Sequence, residues 1–84
     1  MSDEIGRQLL ASDLQERTIV VIKPPGPDNH GLFFTMWVQS IEPDFVVFYS
    51  ALRHWSVISF KTPDGGLVDD RDRAIEVFEY LGEP

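Results

Sequence analysis

The hydrophobic rhythm of the chain changes twice. Over the first fifteen residues, apolar side chains fall at Ile5, Leu9, Leu10 and Leu14, which lay a broad, imperfect stripe along a helix. Ser2 or Asp3 supplies an N-cap, Asp3 and Glu4 complement the positive helix end, and no proline intervenes. A helix is therefore predicted over residues 3 to about 15. Gly6 weakens its first turn, and Ser12 with Gln15 fits a capping box, so a break and restart near Ser12 is compatible with the pattern.

From Thr18 the pattern turns to β-branched and aromatic residues in short runs punctuated by Pro, Gly and Asp, the signature of strands. Thr18 to Lys23 contains the unbroken apolar run Ile19-Val20-Val21-Ile22, as in a strand covered on both faces. Leu32 to Ile41 alternates instead: Leu32, Phe34, Met36 and Val38 on one side, Phe33, Thr35, Trp37 and Gln39 on the other. Phe45 to Leu52 follows a turn at Glu42-Pro43-Asp44, and Trp55 to Lys61 follows a turn at Arg53-His54. Thr62-Pro63-Asp64-Gly65-Gly66 is a further turn, after which Leu67-Val68 adds a short fifth strand. Short connections make an antiparallel meander the simplest topology.

The last segment returns to a helical period. Asp69 or Asp70 caps it, Arg71 to Leu81 has no breaker, and Gly82 with Pro84 supplies a stop. Ala74, Ile75, Phe78 and Leu81 form the apolar stripe, flanked by Val77 and Tyr80. On such a helix Asp72, Glu76, Glu79 and Glu83 fall within about 60° of one another and make an acidic ridge. The expected architecture is a single α+β domain over residues 1–84: N-terminal helix, four- to five-stranded antiparallel meander sheet, C-terminal helix.

Charge and composition narrow the function. The net charge is −7, most of it C-terminal, since residues 61–84 carry seven acids against three bases. Arg7, Arg17, Lys23, Arg53, Lys61, Arg71 and Arg73 are dispersed, which disfavours direct nucleic-acid binding; a negative field favours a basic protein surface. With no cysteine, disulfides, thiolate metal sites and a Cys nucleophile are excluded. No apolar run approaches the ~18 residues of a membrane span, and a cytoplasmic protein is expected.

Candidate chemistry is sparse. His54 stands two residues before Ser56, and His30 lies in the proline-rich stretch from Pro24 to Gly31, which makes a small-ligand site or small enzyme around that loop the alternative reading. Asp64, Asp69, Asp70 and Asp72 lack EF-hand spacing and are read as turn and capping residues rather than metal ligands. No phosphate loop, dinucleotide fingerprint or nucleophile elbow occurs, and no cofactor is expected.

The ten aromatics, eight of them in the strand region, are more informative. Two short helices leave part of a sheet uncovered, so Phe33 and Trp37, with Trp55, are expected to form an apolar contact surface. The reading is a small acidic, non-enzymatic protein-binding module that forms a homodimer through this face. Asp72, Glu76, Glu79 and Glu83 then meet a basic, nucleic-acid-handling partner, as an inhibitor or adaptor. Size and charge give the analogy of phage-encoded blockers of host machinery, whose carboxylates occupy phosphate sites.

Overall fold

A computed structural model of the protein describes residues 5–25 and 33–82. Seven strands form one antiparallel sheet: β1 (Ile5–Leu9), β2 (Ile19–Lys23), β3 (Phe34–Ile41), β4 (Phe45–Ser50), β5 (Trp55–Lys61), β6 (Leu67–Val68) and β7 (Glu76–Tyr80). Their spatial order is β1-β7-β2-β3-β4-β5-β6. Strands β2 to β6 are thus a meander, and the last strand in sequence inserts between the first two.

The sheet curls until its ends meet. Val68 bridges Ala74, and the Ile75 N–H donates to the Leu67 C=O at 2.9 Å, so β6 bonds to the residues just before β7. The Ala11 N–H donates to the Gly65 C=O at 2.8 Å, tying the end of β1 to the turn before β6. One edge of the last strand is therefore shared. Its entry takes β6, and Val77 to Tyr80 take β1. The result is a small barrel that satisfies its backbone groups by closure.

Strand alternation fills the interior. Val20 and Ile22 of β2, Met36 and Val38 of β3, Val46 and Phe48 of β4, and Val77 of β7 point inward with Ile75, Leu67, Leu14 and Ala11. Val38, Val46 and Phe48 have no exposed surface. Ser50 and Ser59 are the buried polar exceptions: the Ser59 hydroxyl donates to the Val46 C=O at 3.1 Å and the Ser50 hydroxyl accepts the Arg53 N–H at 3.2 Å, which offsets the cost of burying them. Between Val38 and Ser40 the β3–β4 register slips by one residue. Such a bulge increases local twist and helps a sheet bend.

Both predicted helices are overturned, and with them the α+β class. Among the described residues the only helical piece is a single 3-10 turn, Ala11–Asp13, where the Asp13 carboxylate accepts the Leu10 N–H at 2.9 Å. The N-terminal stripe is explained by strand pairing instead. Leu9 lies opposite Val77 and packs on the core, Leu14 is buried beyond the turn, and Leu10 is left largely outside. The proposed caps Ser2 and Asp3 lie outside the described residues.

At the other end, Asp69 behaves as a cap would, its Oδ1 accepting the N–H groups of Arg71 and Arg73 at 2.9 Å each. The chain then turns rather than winding on. Asp72 adopts φ 61°, in the left-handed region, and its N–H returns to the Asp69 C=O at 3.1 Å. Beyond the turn, Val77 is buried opposite Ile22 on one side and Leu9 on the other. A central strand with two neighbours outweighs a helical stripe that would have had one sheet face to cover.

Candidate functional site

Closure divides the aromatics between an inside and an outside. The outward positions of the three adjacent strands are Thr35, Trp37 and, at the bulge, Gln39 and Ser40 on β3, Phe45, Val47 and Tyr49 on β4, and Ser56, Ile58 and Phe60 on β5. None is charged. Register places them in rows: Ile19, Trp37, Tyr49 and Ser56 in one, Ser40, Val47 and Ile58 in the next, Phe45, Phe60 and Val68 in the third. Trp37 is 42% exposed, Ile58 51% and Phe60 40%, while Phe45, Val47 and Tyr49 between them are half-buried. Scattered apolar residues are ordinary on a surface, but a contiguous uncharged tract is not.

The tract continues toward β7. The Phe33 ring, 43% exposed, meets the Phe78 ring edge-on, with centroids 6.1 Å apart. Val21 lies opposite Phe78 and Thr35 on this outer side and is nonetheless buried. The face ends at the pair Lys23–Glu76, whose Nζ and Oε1 are 3.9 Å apart. Charge thus sits at its border.

The predicted contact residues are only partly brought together. Phe33, just before β3, and Trp37 within it share the outer face, two alternations apart. Trp55 does not join them. It stands opposite the buried Ser50, on the inward side, and its ring meets that of Phe34 edge-on at 6.3 Å. A strand beginning at Trp55 puts Trp55, Val57 and Ser59 on one side, which period-two alternation makes readable.

Among the described residues no acidic ridge forms. Its basis was a helix, and on β7 Glu76 and Glu79, three residues apart, fall on opposite faces: Glu76 pairs across from Lys23, Glu79 across from Val20. Asp72 lies in the preceding turn, and Glu83 is outside the described residues. Asp64 and Asp69 instead hold turns. Thr62 and Asp64 side chains bond to each other, and both accept the Gly66 N–H, with Gly65 at φ 92°. The Thr62 hydroxyl and then the Gly66 N–H hold the Asp64 carboxyl below its usual range. For Asp69, partial burial pushes the carboxyl up, but the N–H groups of Arg73 and Arg71 and the Arg73 guanidinium, 2.9 Å away, together bring it below the usual value.

His54 occupies the β4–β5 turn at φ 57°, its N–H donating to the Ser50 C=O at 2.8 Å. No hydrogen bond joins it to Ser56 among the described residues, and His30 lies outside them. Nor do three or more His, Asp or Glu side chains gather there as a metal site would require. No described helix is long and apolar enough to cross a membrane. The chain matches no known protein family, no curated protein and no solved structure.

Proposed function

We propose that the protein is a non-enzymatic binding module, an inhibitor or adaptor, that docks a basic protein partner on the uncharged outer face of β3–β5. One observation supports this above all: three adjacent strands present no charged side chain outward, in a chain of net charge −7, and leave Trp37, Ile58 and Phe60 substantially exposed. Keeping aromatic surface in water forgoes stabilisation of roughly 25 cal/mol per Å². A partner that covers it recovers that, and Trp and Tyr are frequent anchors.

Charge selects the occupant. Two copies of the chain meeting face to face must bring two charges of −7 together, screened only beyond about 8 Å at physiological ionic strength. A partner whose apolar patch has a basic rim gains from the same field. The test is capture on immobilised protein, followed by identification of the retained polypeptide and re-binding of it in purified form. Ile58→Asp should abolish re-binding, while Leu52→Asp, at a position 88% exposed in the β4–β5 turn, should not. Unchanged binding by Ile58→Asp removes the face from the account. Sedimentation that shows a dimer, lost in the same variant, assigns the face to a second copy instead.

A further inference from the structure

The inward side of the barrel opens at one end into a cavity of about 250 Å³. Its walls include Ile22, Phe34, Met36, Trp55, Val57 and Ile75, with Pro24 and Pro25 beside them, and Asp69 and Arg73 also line it. This end is separate from the outer face, because alternation sends Phe34 and Trp55 inward and Trp37 outward. Its size lies just below the roughly 300 Å³ where sites for drug-sized ligands begin. One ring and a short substituent fill it.

Two cations mark what the substituent is. The Arg73 Nε donates to the Asp69 Oδ2 at 2.9 Å, which fixes the guanidinium beside the cavity while its terminal NH2 groups have no carboxylate partner among the described residues. The Arg53 guanidinium lies 5.3 Å from the centroid of the Phe34 ring, the same ring that lines the wall. Asp69, the one acid among the described residues that line the cavity, is committed to Arg73 and to the N–H groups of Arg71 and Arg73. Among the described residues the charged side-chain donors left at this end are guanidinium groups, whose planar fork matches a carboxylate.

The geometry points to a ligand site in the barrel mouth for a small aromatic carboxylate, the ring seated in the cavity against Phe34, Trp55 and Val57 and the carboxylate on Arg73, with Arg53 adding positive field. No proton transfer or covalent step is involved. The site is independent of the outer face: loss of either leaves the other reading standing.

Titration of the full chain with benzoate and with benzamide tests it, read by backbone amide NMR shifts and by the fluorescence of a Trp37→Phe variant in which Trp55 is the sole tryptophan. Benzoate should give saturable shifts confined to Phe34, Trp55, Val57, Ile75 and the turn around Arg73, and should bind at least about tenfold tighter than its neutral amide, about 1.4 kcal/mol. Arg73→Gln should erase that preference. Because this variant also loosens the Asp69 turn, Arg53→Gln serves as the second, with a smaller loss expected. Absence of saturable change at millimolar benzoate overturns the site. Equal binding of benzoate and benzamide by the wild-type chain overturns the carboxylate assignment, and shifts centred on Trp37 place the ligand elsewhere and overturn both.

Discussion

Gly6 and Glu79 stand back to back across the β1–β7 pairing: a Cβ added to Gly6 would lie 2.9 Å from the Glu79 Cβ and 2.7 Å from its Oε1. The register there shifts between Ile5 and Gln8, so the approach occurs at an irregular point of the ladder. This contact separates two descriptions of the N-terminal segment. In a helix, Gly→Ala stabilises by up to about 1 kcal/mol. Against a strand neighbour already at contact, overpacking costs about 1–3 kcal/mol and exceeds the smaller gain from restricting the unfolded chain. Gly6→Ala should therefore lower the urea midpoint, and a raised midpoint would contradict the β1–β7 pairing.

Acid should weaken the fold through its turns. The carboxyls of Asp64 and Asp69 are both held below their usual range when folded, so unfolding at low pH takes up protons. Their contribution is present above the unfolded value of about 3.9 and is lost as pH falls through the lower folded value. Urea unfolding at pH near 7 should show Asp69→Asn less stable than wild type, and the gap should narrow as the pH is brought below about 4. A gap independent of pH would show that the charge of Asp69 does not stabilise the turn.

The interior and the β4–β5 turn should respond oppositely to truncation. Phe48 has no exposed surface, and Phe→Ala in a core costs about 3–5 kcal/mol, comparable to the net stability of a domain this small. Phe48→Ala is expected to lose its near-ultraviolet circular dichroism at 25 °C. Leu52→Ser, at a position 88% exposed, should stay within about 0.5 kcal/mol of wild type by thermal melting.

The two tryptophans should divide by function. Trp37→Ala is expected to weaken partner re-binding at least about thirtyfold, the loss typical of a central aromatic anchor of 2 kcal/mol or more. Trp55→Ala should leave it within a factor of about three, because the ring faces the opposite side of the sheet. Surface plasmon resonance on both variants checks this, and equal losses would mean the partner covers the barrel mouth as well.

How legible was this in the sequence? Where apolar runs were flanked by turn residues, local chemistry sufficed: the strand Trp55–Lys61 and the two-residue Leu67–Val68 occupy the stretches that their β-branched and aromatic content marks. Arg71 to Leu81 misled for a physical reason. Ile75, Val77 and Phe78 are compatible with either period, and Asp69 offers its carboxylate to the following N–H groups whether the chain winds or turns. What decides the matter is Ile22 and Leu9 on either side of Val77, contacts from far along the chain that no window of a dozen residues contains. The acidic ridge fell with the helix, because its only warrant was a 100° rotation per residue. Phe33 and Trp37 were grouped on alternation alone, and alternation also would have set Trp55 apart.

The position of β7 between β1 and β2 has a kinetic corollary. During synthesis the β2–β6 meander can form as soon as it emerges, but β2 then offers its second edge, with Val20 to Ile22, to whatever is near. Only when residues 74–80 leave the ribosome can that edge be sealed and the barrel shut. A chain in which β7 has not yet docked therefore carries an unpaired strand edge that another chain can pair with.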